Sequence, residues 1–241
     1  MPPLCIVPDL NTRPRLKQWG ATMVEWTLGA TVLFLGVAMA IEFAHWQTTR
    51  HIASIALMEA ARAGSVQHAH PDAIRQAFLT SMQARFAHHS NSADAMTRSF
   101  ERVRASTQLT AWQIEQRSPD DAAFSRAPVD DGRRVRHARG KRVLKHDLTE
   151  RDGQPRHLAA SGRVGWATDP NGPHARALTL HLRLTYRQPA LFPALARLAS
   201  SLTSTDASTR RAWAAGLLVI RLDQKIEMQS DAVQWGSGPI E

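Results

Sequence analysis

Two carboxylates border the most apolar stretch of this 241-residue chain. Glu25 and Glu42 flank Trp26–Ile41, sixteen residues without an ionisable side chain. A carboxylate beside so apolar a segment needs a hydrogen-bonding or cationic partner, so each is a candidate contact to another chain or to lipid headgroups. Other residues have chemistry in principle. His68 and His70, and His88 and His89, form pairs, but they lack the i, i+4 spacing or cysteine partners of a metal site. They read as solvated loop histidines. Asp120-Asp121 and Asp130-Asp131 are paired carboxylates in a stretch of Pro and Asp-Gly turn signals, where nothing holds a catalytic geometry. The sequence has no Gly-rich phosphate loop, no Cys/His zinc spacing and no serine in a nucleophile-elbow context. These residues predict neither an enzyme nor a metal or cofactor.

The element that must position Glu25 and Glu42 is the apolar run itself. Sixteen residues span ~24 Å as a helix, short of a hydrocarbon core of ~30 Å. Extended to residues 21–44 the helix reaches ~36 Å, with the carboxylates near its ends. Trp19, Trp26 and Trp46 flank it, as interfacial aromatics do. Arg13, Arg15 and Lys17 precede it, and the next Lys or Arg is Arg50. The positive-inside bias therefore predicts a basic cytoplasmic leader over 1–20, a single membrane span over 21–44, and residues 45–241 outside the cytoplasm. Cys5 is the only cysteine, so no intrachain disulfide is available to the exported part.

The rest reads as a domain hung from that helix. An alanine-rich helix continues towards Gly64, a plausible C-terminal cap. Pro71-Asp72 opens a second helix with Ile74, Phe78, Met82 and Phe86 on one face. Val103–Glu115 mixes β-branched and aromatic residues and predicts a strand that closes the 45–117 part. Residues 118–173 predict a basic, flexible insertion. The formal charge of +9 concentrates there, with eleven Lys/Arg against five Asp/Glu between Arg126 and Arg163. Arg133–Lys145 holds seven basic residues and no acid. Nucleic acid is not the expected partner, given the extracytoplasmic placement and the lack of interleaved aromatics. A solvated loop, or contact with anionic headgroups or an acidic partner, remains. In 174–241, Leu178–Tyr186 alternates apolar and polar residues, which predicts a half-buried strand. An apolar connection with a short helix follows over Pro189–Leu202, then a polar loop over Thr203–Thr209. A last strand over Leu218–Met228 is expected to pair antiparallel with the first. The fold class is α+β: a long N-terminal membrane helix leading into a domain with a small antiparallel sheet.

Three landmarks carry a resemblance: Gly20-Ala21-Thr22-Met23-Val24-Glu25 after the basic leader, Ile41-Glu42-Phe43 at the helix exit, and Glu59-Ala60-Ala61-Arg62-Ala63-Gly64. Together they resemble the TadE-like family, pseudopilins of the tight-adherence (Flp) type IV pilus system. Met228-Gln229-Ser230-Asp231 is similar to the close of such proteins, and Trp26 departs from the apolar residue usual there. The resemblance implies cleavage between Gly20 and Ala21 by a prepilin peptidase at the inner membrane, with the outer domain in the periplasm. It implies pairing of Glu25 with the freed α-amine of Ala21 on a neighbouring subunit, and partners among the pilus-assembly components, including self- or hetero-association through the N-terminal helix. From the residues alone, Glu25 also suits a helix N-terminus, where negative charge meets the dipole. Glu42 fits either an assembly contact or the outer headgroup region. Two other outcomes stay open: an uncleaved single-pass anchor, and cleavage after Ala40, since Ala38-Met39-Ala40 has the small-x-small form of a signal-peptidase site.

Overall fold

The computed structural model describes residues 21–125, 129–131, 135, 137–144, 179–202, 206–236 and 238–241. The leader 1–20, with Gly20, and most of the 118–173 insertion lie outside the described residues. The fold is α+β, with a long apolar N-terminal helix and small antiparallel sheets. The chain divides into two units, residues 1–41 and 42–241.

Helix α1 runs Ala21–Val66 without a break. In the first unit it is long and apolar enough to cross a membrane, and almost none of it is buried within the chain. Trp26, Val32 and Phe34 are all exposed. A soluble core helix would hide such a surface against its own domain. Thr27 and Thr31 turn their hydroxyls back to the carbonyls of Met23 and Thr27, at 2.7 and 2.8 Å, which satisfies them inside the helix.

The second unit is built on the other half of α1. Ala53, Ala56, Leu57, Ala60 and Ala61 are buried along it. Their small side chains let neighbouring elements approach the helix axis closely. Helix α2 (Pro71–Met82) lays Ile74, Phe78 and Met82 into the same core, and a 3-10 turn over Gln83–Phe86 adds Phe86. Helix α3 follows over Ser92–Thr107, capped by the Asn91 side chain on the Asp94 N–H.

Three strands form the main sheet: β1 (Trp112–Ser118), β3 (Thr179–Pro189) and β4 (Leu217–Glu227), in the order β1-β3-β4 and antiparallel throughout. Leu180, Leu182, Leu184, Tyr186 and Gln188 point inward from β3, as the period-two alternation predicts. The register sets Ile114 beside Leu184, and Leu184 beside Leu222. Between β1 and β3 lie a single turn α4 (Asp121–Phe124) and a two-residue strand β2 (Val143–Leu144). Helices α5 (Pro193–Leu202) and α6 (Ala207–Ala214) separate β3 from β4, and β5 (Ala232–Val233) pairs with β2.

Four expectations differ from what is seen. Val103–Thr107 is helix, and the strand starts at Trp112. Val103 is buried two turns on from Ala95 and Met96 along the same helical face, and Gln108, with a left-handed φ of 58°, ends the helix. Gly64 is not a cap but sits inside the last turns of α1, packed against Ile74 and Leu180. The expected loop at Thr203–Thr209 contains the start of α6, which Asp206 caps by accepting from the Thr209 N–H. Finally, the described part of the 118–173 stretch is packed: Val135, Ala138 and Val143 form a small apolar cluster with Val233, against which Trp235 lies.

Candidate functional site

Ala21 begins α1, and Glu25 lies one turn further on, exposed to the surroundings. Glu42 belongs to the second unit and is placed differently. It is 8% exposed. Its Oε1 accepts from the Leu191 N–H at 3.3 Å and its Oε2 from the Phe192 N–H at 2.8 Å. A buried carboxylate needs donors, and here they come from the turn between β3 and α5. Their separation of about 150 residues leaves no local signal in the sequence.

One turn along α1, His45 and Thr49 share a face and meet Arg85 from the 3-10 turn. Arg85 donates from Nε to Thr49 Oγ1 at 3.2 Å and from Nη1 to the Tyr186 hydroxyl at 3.0 Å, and its Nη2 lies 3.3 Å from His45 Nε2. Because guanidinium only donates, His45 Nε2 accepts and the ring proton sits on Nδ1. Burial, then the Arg85 charge, holds the His45 pKa down against the weaker pull of Glu42. Burial pushes the Tyr186 phenol up, and Arg85 opposes it only in part. The result is a polar bolt of one cation and three neutral groups, tying α1 to the 3-10 turn and β3. Sequence reasoning missed it; the i, i+4 pair His45 and Thr49 was the available sign.

The far end of α1 is closed by residues distant in sequence. Ser65 O accepts from the Gln229 N–H at 3.0 Å and from Ser230 Oγ at 2.9 Å. The His68 N–H donates to Ser230 Oγ at 2.9 Å, and the His68 ring Nδ1 lies 2.8 Å from Asp231 O. Trp235 Nε1 donates to His68 O at 2.8 Å. His68 and Ala69 hold left-handed φ values of 58° and 57°, unusual for residues with a side chain. These bonds hold them there. The tetrad Met228–Asp231 is thus the clamp on the end of α1, with Met228 itself in the core.

The remaining candidates are dispersed. His70 Nδ1 accepts from the Asp72 N–H at the start of α2, and its ring packs edge-on to Trp235 at 4.2 Å. The His88 and His89 rings lie 4.0 Å apart. Among the described residues no group of three or more His, Cys, Asp or Glu is placed to hold a metal ion. Asp120 caps α4 through the Ala123 N–H, and Asp121 accepts from Gln234 Nε2, each at 2.8 Å. Within Arg133–Lys145, Lys141 Nζ lies 4.0 Å from the Trp235 ring centroid and Arg142 donates to Ser125 O at 2.9 Å. Glu59 and Arg62 pair at 3.2 Å on the exposed side of α1, opposite the buried Ala60, Ala61 and Gly64.

Residues 20–62 match the TadE-like protein family. The match opens at Gly20, covers all of the apolar helix and Glu42, and ends within the Glu59–Gly64 block. That family implies a protein associated with the Tad pilus and carrying an N-terminal apolar helix, a structural rather than an enzymatic kind of molecule. No curated protein and no solved structure matches the chain.

Proposed function

We propose that this chain is a pseudopilin-like subunit of tight-adherence pilus assembly. Residues 21–44 cross the inner membrane once, with the leader in the cytoplasm and residues 45–241 in the periplasm. A prepilin peptidase cuts between Gly20 and Ala21. One observation carries the reading: Gly20 stands five residues ahead of Glu25 at the opening of an exposed apolar helix, and the TadE-like match begins at that glycine. Cleavage frees the Ala21 α-amine, a cation at the membrane face. Glu25, exposed one turn along, supplies the anion for the corresponding amine on a neighbouring subunit, and the pair sets the register between helices. Glu42 is the second position on which assembly depends. By holding the Leu191–Phe192 turn it fixes what the domain presents at the helix exit.

The mature N-terminus tests this. Intact mass and terminal peptide sequencing of the native protein are expected to give a start at Ala21, and Gly20→Val is expected to abolish that cut. A start at Ile41 would make the chain a secreted domain, and an uncut N-terminus would leave an anchor without prepilin maturation.

A further inference from the structure

We infer that the Leu191–Phe192 turn and the first turns of α5 form a second membrane contact, dipping into the boundary between headgroups and acyl chains beside the exit of the apolar helix. This rests on the reading of residues 21–44 as a membrane span.

Four observations carry it. First, level: Glu42 directly follows the uncharged run Trp26–Ile41, and its two carboxylate oxygens bind the backbone N–H groups of Leu191 and Phe192. The turn is therefore held within hydrogen-bonding distance of the residue that follows the apolar run in sequence. Second, surface: Leu191, Phe192 and Leu198 are 50%, 38% and 57% exposed. Outside α1 the only other large apolar side chain so exposed among the described residues is Val129. Three such groups within eight residues of one turn and one helix make a patch, not scatter. Third, charge: between Pro189 and Leu202 the single ionisable residue is Arg197, which is exposed. Along α1 from Phe43 to Met58 there is no acid, while Arg50 lies 5.3 Å over the Trp46 ring. A basic residue on each of these two segments suits an anionic headgroup layer. Fourth, geometry: α5 is short and buries Ala196 while leaving Ala194, Arg197 and Leu198 outward. The outward face is thus apolar but for Arg197, whose long stem can lie along a bilayer surface with its charge among the headgroups.

The apolar residues of this segment have a use that a soluble domain lacks. A carboxylate buried at the helix exit would be costly if it faced lipid alone. Here it holds an apolar turn, so the surface presented at that level is Leu and Phe rather than charge.

The test uses the full chain reconstituted into vesicles of phosphatidylcholine and phosphatidylglycerol. In a Cys5→Ser background, Leu198→Cys carries an environment-sensitive fluorophore, with Leu191→Cys as a second reporter. Phe34→Cys marks the span and Lys225→Cys marks the exposed face of the sheet. Nitroxide lipids labelled high on the acyl chain are expected to quench positions 198 and 191 at least as strongly as 34, and iodide is expected not to reach them. Position 225 shows the reverse. Quenching at 34 with full iodide access at 198 and 191 would overturn the second contact while leaving the span. No lipid quenching at 34 would overturn the span reading and the contact with it. Protection from iodide at 198 without lipid quenching, lost as protein is diluted into excess lipid, would assign the patch to a second copy of this chain and overturn the lipid contact.

Discussion

At Gly64 a side chain has nowhere to go. A Cβ built there would lie 2.8 Å from Ile74 Cγ1 and 2.9 Å from Leu180 Cδ2. The glycine lets α1 meet α2 and β3 at one point. Two terms set the outcome of replacing it. Alanine gains about 1 kcal/mol in helix propensity but loses roughly 1–3 kcal/mol to overpacking, so Gly64→Ala is expected to be near neutral or modestly destabilising. Gly64→Val loses most of the propensity gain and adds two methyls to the same clash, so it is expected to lower stability by about 2 kcal/mol or more. Thermal unfolding of the two variants checks this, and an unchanged midpoint for Gly64→Val would refute the close approach. The sequence marked Gly64 as special but suggested the wrong reason, because a glycine near a helix end has the same local appearance whether it caps or packs. The Ile74 and Leu180 contacts that decide between these are tertiary. Glu42 is a parallel case: its unusual position was legible, but its partners at 191 and 192 were not.

Among the elements, β3 and β4 carry the clearest pattern and a pH response. On their outer face Asp223 accepts from Arg183 Nε at 2.9 Å and faces His181 Nε2 at 3.0 Å. Partial burial pushes the Asp223 pKa up, yet Arg183 and His181 outweigh it and the carboxyl ends below its usual range. A depressed folded-state pKa means stability that is present above the ordinary carboxylate range and lost as pH falls through the folded value. At this exposure the contribution is on the order of 0.2–1 kcal/mol. Asp223→Asn is therefore expected to flatten the acid limb of the stability–pH curve and leave the neutral plateau slightly lower; denaturant unfolding between the acid and neutral ranges would show it. A limb of unchanged slope would rule the group out. These two strands were readable because ten residues of alternation overdetermine a face. Helix α3 was misjudged at Val103–Thr107 because β-branched residues weigh towards strand locally. In the fold, Ser106 and Thr107 satisfy their hydroxyls on the Arg102 and Val103 carbonyls and the helix continues. The Asp206 cap of α6, reinforced by Arg221 at 2.9 Å, was visible as an Asp-x-x-Thr signal within a polar run. Strands β2 and β5, two residues each, carry no period that a sequence can display.

For the molecule as a whole, the C-terminal segment is what joins the parts of the second unit. Gln229 and Ser230 close α1, Trp235 covers His68, β5 pairs with β2, and Ile240 exchanges two backbone hydrogen bonds with Ile114 at 2.9 and 2.8 Å. Ala232, Val233 and Ile240 are buried there. Deleting residues 229–241 is expected to remove the cooperative unfolding transition of the domain rather than shift it by a few degrees, since it leaves the Ser65 and His68 backbone groups unpaired and opens both apolar clusters. A truncated chain with a sharp transition near that of the full chain would contradict this. The clamp also orders events in time. A ribosome makes residues 65–69 long before residues 229–240, so the left-handed turn after α1 must wait, unbraced, until those later residues have emerged. Residues 229–240 act as a latch that closes only once they have been made, and a chain interrupted before them displays an open helix end to any protease that inspects it.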